Sequence, residues 1–141
     1  MVKRFLVTAL AAALFMGMDY AHPVESAPTT IHKTAPTSGK QMYISYCASC
    51  HGVTGRGDGP AAAALKMPPT DLSLLSRNNH GKFPDAHIVT VLQYGTPILS
   101  HGSAEMPVWG PVLGKMDKAN PEFKQVRISS LIQYLKTLQA K

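Results

Sequence analysis

Glycine and proline interrupt this chain so often that long, continuous helices or strands have little room to form. Gly and Pro number 11 each in 141 residues. The stretch Gly52–Pro60, GVTGRGDGP, holds four Gly in nine residues and reads as a loop. Met67-Pro68-Pro69 ends any helix before it, because a residue preceding Pro is pushed out of the helical region. Thr96 to Asn120 is again rich in Gly and Pro and reads as largely irregular. What remains is a set of short helical segments. Ser38-Gly39-Lys40-Gln41 fits a capping box for a first helix running to about Ser49, with Gly39, Tyr43 and Cys47 on one face. Asp58 or Gly59 caps a short turn over Ala61–Leu65 with Pro60 in its start, and Thr70 or Asp71 opens another through Leu75. Asp85–Tyr94 follows, with Ile88, Val91 and Leu92 on one side and Gly95 at the stop. Asn120-Pro121 introduces a last helix to about Gln139, striped by Phe123, Val126, Ser130, Leu131, Tyr134, Leu135 and Leu138. The expectation is an all-α fold of three to five helices joined by long loops. With aromatic residues at only 7%, such elements make a poor core unless a large apolar object sits between them.

The two ends of the chain differ in kind. Lys3 and Arg4 precede a 14-residue apolar run, Phe5 to Met18. That pattern matches a secretory signal peptide and is short for a membrane span. We expect residues 1–21 to be that signal, with cleavage as late as residue 26, and the mature chain to lie in the periplasm. It has no transmembrane span unless the signal is retained as an anchor. Residues 22–37 hold three Pro and four Thr without apolar period and read as a flexible linker, leaving 38–141 as the folded domain. The formal charge is +6 for the chain. This favours acidic partners. Nucleic acid is a poor candidate, since the bases are scattered and export removes the target.

Chemistry is concentrated at Cys47-Ala48-Ser49-Cys50-His51, which contains the chain's only two cysteines. C-x-x-C-H is the attachment pattern of c-type haem: each thiol adds to a vinyl group, and the adjacent imidazole becomes the proximal iron ligand. A thioredoxin-like pair wants a strand before the motif, and here a helix precedes it. A structural zinc site usually takes four Cys or His ligands, and no second Cys pair exists. A bare disulfide is the remaining structural alternative.

With this motif in place, Ser38 to about Gln139 resembles the class I, monohaem cytochrome c family. Gly39, Tyr43 and Cys47 match the family's first helix, and Leu131-Ile132-Gln133-Tyr134-Leu135 its last, where the two cross. The Gly55–Pro60 run is similar to bacterial monohaem cytochromes and to haem domains of oxidases and dehydrogenases. The resemblance implies one covalent haem c, bound through Cys47 and Cys50, with His51 on one face of the iron. The family's Met-Pro setting makes Met106 the expected second ligand, with His101 as its rival in the same loop and Met116 behind both. Met42 and Met67 read as core filling, and His80 and His87 as surface residues. The family pattern also has a Pro carbonyl accepting the Nδ1 proton of the ligand His. Pro69 is the expected residue, with Pro68 beside it. Leu72 is expected to pack against the ring, and Trp109 either to reach a propionate or simply to pack.

Six-coordinate iron has no open position for a substrate, so the resemblance implies electron transfer and no enzyme activity. Lys40, Lys66, Lys82, Lys115 and Lys118 are available to steer an acidic redox protein. A fixed subunit of an oxidase or dehydrogenase is an alternative with the same chemistry. A gas sensor or haem enzyme needs a displaceable distal ligand and is the more distant reading.

Overall fold

The computed structural model describes residues 33–95 and 106–141. Among the described residues six α-helices and two 3-10 turns carry the fold, and there is no strand. The helices are α1 (Gly39–Tyr46), α2 (Ala48–His51), α3 (Leu75–Asn78), α4 (Asp85–Tyr94), α5 (Trp109–Lys115) and α6 (Phe123–Thr137), and the 3-10 turns are Ala62–Ala64 and Leu72–Leu74. This is the all-α architecture that the helical segments and loops imply.

Half of the capping box forms. The Ser38 hydroxyl accepts the Gln41 N–H at 3.3 Å, while the Ser38 N–H turns back to the Ala35 carbonyl at 3.1 Å. The first helix does not run unbroken to Ser49. It pauses at Cys47, where φ is −114°, and restarts as α2.

Crossing of α1 and α6 organises the core. A Cβ on Gly39 would strike the Ser130 carbonyl oxygen and sit 3.0 Å from Tyr134 Cβ, so only glycine lets the two backbones approach this closely. One turn on, the rings of Tyr43 and Tyr134 meet at 5.3 Å with a 51° tilt, a geometry that suits the aromatic quadrupole. Met42, Tyr43, Leu113, Ile128 and Leu131 are buried around this crossing. The buried side of α6 is Arg127, Ile128, Leu131, Ile132 and Leu135. The helix is therefore turned slightly from the expected stripe, and Val126 and Ser130 stand at its edge.

Two expectations are corrected. The segment from Thr96 to Asn120 is not irregular throughout, because Trp109–Lys115 forms α5 despite Gly110, Pro111 and Gly114. Pro111 lies in the first turn, where a helix has no internal partner for the N–H that Pro lacks. Gly110 permits contact with α4, since a Cβ there would strike the Gln93 carbonyl and lie 3.0 Å from Gln93 Cα. Secondly, the 22–37 linker does not extend to residue 37. Thr34 is buried, its carbonyl accepts from Arg127 Nη1 at 2.7 Å, and Lys33 pairs with Asp117 at 3.1 Å. Packing thus begins ahead of Ser38. The helix Asp85–Tyr94 has the expected bounds and stops at Gly95 with φ 78°.

Candidate functional site

The Cys47–His51 segment sits where α1 gives way to α2, and the loop behind it folds back to satisfy its backbone. The Cys47 carbonyl accepts from the N–H groups of Cys50 and His51, Ala48 from Gly52, Ser49 from Ala61 at 2.8 Å, Cys50 from Gly59 at 3.1 Å and His51 from Gly57 at 2.8 Å. Every carbonyl of the motif is therefore paired. A four-residue helix could not hold itself in water, and this loop supplies what it lacks. Tyr43 fastens the far end by donating its hydroxyl to the Gly52 carbonyl at 2.7 Å. Burial, with smaller contributions from Cys47, Tyr134 and Asp58, pushes that phenol well above its ordinary value.

Gly57 carries the loop across the segment that follows Pro68-Pro69. Its φ is 79°, and a Cβ there would strike the Pro69 carbonyl. The chain after Pro69 is thereby laid against the motif, and the Thr70 carbonyl comes to 3.0 Å from His51 Nδ1. This corrects the expected acceptor: Thr70 supplies the carbonyl, one residue after Pro69 and two after Pro68. A carbonyl can only accept, so the contact places the imidazole proton on Nδ1 and leaves the Nε2 lone pair available to a metal. Burial holds the His51 imidazole below its ordinary value, opposed by the Thr70 carbonyl, which favours the protonated ring. Burial favours the neutral ring, and the contact with the Thr70 carbonyl fixes its orientation.

Cys47 and Cys50 are free thiols and both are half-buried. Burial, and then proximity to Cys50, pushes the Cys47 thiol up to about 12. Cys47 and Leu72 pack on the same core as Trp109. Leu72 is pinned from two sides, its N–H on the Gly55 carbonyl at 2.6 Å and its carbonyl under Gln139 Nε2 at 2.8 Å. Trp109 is buried and stacks on Tyr46, centroids 5.6 Å apart and planes 27° apart. Met106 lies just ahead of Pro107 and α5, is 36% exposed, and stands outside the core that Cys47, Leu72 and Trp109 share. His101 falls outside the described residues. Met42 is fully buried, as expected of core filling, whereas Met67 is 48% exposed. Met116 accepts from the Tyr46 hydroxyl at 3.8 Å. His80 and His87 are exposed. Among the described residues no three His, Cys, Asp or Glu converge as a metal-ligand set.

The donor set fits a covalent haem: two free thiols separated by two residues, and beside them an imidazole whose proton is already committed to Nδ1. The helical fold, the α1–α6 crossing and this attachment segment define a class I monohaem c-type cytochrome domain. A family model described as cytochrome c oxidase, cbb3-type, subunit III matches residues 34–121, and the chain belongs to that family. The match begins at the buried Thr34 and ends just before α6. A comparison with curated proteins finds no match to this chain.

The sequence reasoning missed Thr70 because a backbone carbonyl leaves no side-chain signal. Thr34, in a segment that reads as linker, and Arg127, a charged residue of the last helix, also give no sequence signal of their burial.

Proposed function

We propose that the protein is an exported electron-transfer cytochrome carrying one haem c through thioethers at Cys47 and Cys50, with His51 and Met106 as axial ligands. The observation that carries this reading is the His51 Nδ1 contact with the Thr70 carbonyl, 3.0 Å, on an imidazole directly following Cys-x-x-Cys. When bound, the haem supplies a one-electron iron couple, and a thioether ligand raises its potential relative to two imidazoles. The chain's own residues hold and shield. Cys47 and Cys50 fix the group covalently, the Thr70 carbonyl orients the ring of His51, and Leu72 and Trp109 help to exclude water. No side chain has to move a proton, so the reading is a carrier and not an enzyme.

Membership of an oxidase subunit family favours a fixed place in an oxidase complex over a free carrier, with the same site in either case. Lys40, Lys66, Lys82, Lys115 and Lys118 are exposed and give an acidic redox partner a surface to meet. No helix among the described residues is long and apolar enough to cross a membrane. In this proposal the run Phe5–Met18 is the export signal that delivers the chain to the periplasm.

Absorption spectra with and without carbon monoxide test the ligand set. The proposal expects a sharp reduced c-type spectrum, a weak far-red sulfur-to-iron band when oxidised, and no rapid carbon monoxide binding. Met106→Ala is expected to abolish the far-red band. An unchanged spectrum in that variant removes Met106 as ligand, and rapid carbon monoxide binding by the parent protein favours a sensor or enzyme.

A further inference from the structure

The most unusual polar group in the core is Arg127. Its side chain is fully buried within α6, where a charge is costly unless it is paired. Nη1 donates to the Thr34 carbonyl at 2.7 Å and to the Thr34 hydroxyl at 3.3 Å, and it touches Met42 Sδ at 3.9 Å. Nε and Nη2 are buried with no hydrogen-bond partner among the described residues. A guanidinium remains protonated in proteins, so the core carries a positive charge.

Among the described residues no ion pair cancels that charge. Asp117 feels the attraction of Arg127, but its carboxyl is held below its ordinary value first by hydrogen bonds from Lys33 and Asn120. Its ion-pair partner is Lys33. Among the described residues the polar contacts of Arg127 are to neutral atoms of Thr34 and Met42. Met42 in turn precedes Cys47 by five residues, roughly 7.5 Å of helical rise.

We propose that Arg127 is a positioning charge for the redox couple, a buried cation that disfavours the oxidised haem and so raises the reduction potential. The inference rests on the haem reading above. Oxidation removes one electron to the partner and leaves one more positive charge on the iron centre, with no proton or bond change required at Arg127. For two unit charges on the order of 10–15 Å apart at an effective dielectric of about 20, Coulomb's law gives roughly a tenfold bias toward the reduced form, and that is the size of effect the proposal expects. For one electron this is about 59 mV.

Spectroelectrochemical titration of the intact haem protein tests this with three variants, Arg127→Gln, Met42→Glu and Met42→Gln. The first removes the charge, the second sets a carboxylate beside the intact guanidinium, and the third repeats the second's shape without its charge. The expected result is a fall of about tenfold in the ferrous to ferric equilibrium, about 59 mV, for Arg127→Gln and Met42→Glu, with Met42→Gln close to the parent. Should Arg127→Gln fail to fold, the Glu and Gln pair at residue 42 decides alone. A parent-like potential in Met42→Glu, or an equal fall in Met42→Gln, overturns the proposal. The c-type spectrum recorded in the same titration separates this outcome from failure of the haem reading, which would show as no haem spectrum in the parent protein.

Discussion

Replacing Gly39 by Ala sets two physical effects against each other, and the structure says which wins. By helix propensity alone the change stabilises by up to about 1 kcal/mol. Against it stands the α1–α6 crossing, where the new methyl would strike the Ser130 carbonyl oxygen and approach Tyr134 Cβ to 3.0 Å. A main-chain carbonyl cannot rotate away as a flexible side chain can, so α6 must move as a body. Overpacking of this kind costs about 1–3 kcal/mol. The displacement also disturbs the Tyr43–Tyr134 ring contact and the Tyr43 hydrogen bond to Gly52, the latter worth about 1 kcal/mol. The net expectation is a loss of about 1–3 kcal/mol, which lowers Tm by several degrees in a domain of this size. Circular dichroism melts and guanidinium titrations of the haem-loaded protein read it directly. A variant as stable as the parent, or more stable, would refute the close-crossing argument, because propensity alone would then account for the result.

Further outcomes follow from the attachment loop and from Tyr43. Tyr43→Phe removes the hydroxyl that holds the Gly52 carbonyl and should cost about 1–2 kcal/mol by chemical denaturation; an unchanged midpoint would show that water replaces it at no cost. The same tyrosine gives a pH dependence. Its folded value lies above the ordinary value of 10.0, so the unfolded chain ionises first, and its contribution is fully present below pH 10 and is lost as pH rises above it. Denaturation midpoints of the parent should therefore fall above pH 10 more steeply than those of Tyr43→Phe, and parallel curves would contradict this. Gly57→Ala forces a side chain into a left-handed backbone and onto the Pro69 carbonyl, and should lower stability by about 1–3 kcal/mol and perturb the His51 ring signals in NMR. Thr70→Ala keeps the carbonyl that His51 uses and should leave those signals nearly in place. The reverse ranking would remove the carbonyl from the argument.

How much of this was written in the sequence depends on whether a feature resides in side chains or in backbone. The Cys47–His51 pattern stands out in the sequence because the chemistry proposed for it needs two thiols and an imidazole at fixed spacing, and helix α4 was legible because Ile88, Val91 and Leu92 share a side and Gly95 stops it. Gly39 and Tyr134 carried the crossing through the resemblance of their segments to the first and last helices of the class I cytochrome c family, and the close approach at Gly39 bears it out. Thr70 was not legible. Its contribution is a carbonyl, and only the positive φ of Gly57 and the rigid Pro68-Pro69 pair, acting together, decide which carbonyl reaches His51. Helix α5 was hidden because Pro111 reads as a breaker unless its position in the first turn is known, and Gly110 reads as a loop residue until the Gln93 backbone is found against it. The burial of Arg127 was not legible, because charge is the usual mark of an exposed helix face and nothing local to the helix announces that the Thr34 segment covers it.

The central claim is that Cys47 and Cys50 hold a haem while His51 stands fixed beside it. The most direct test is the intact mass of the protein produced with a cytochrome c maturation system, followed by mapping of the peptide that contains Cys47–His51. The account predicts the mass of one haem added, retained after unfolding in acid and localised to that peptide through both sulfurs. A chain of unmodified mass less two hydrogens, with Cys47 and Cys50 joined to each other, would contradict it.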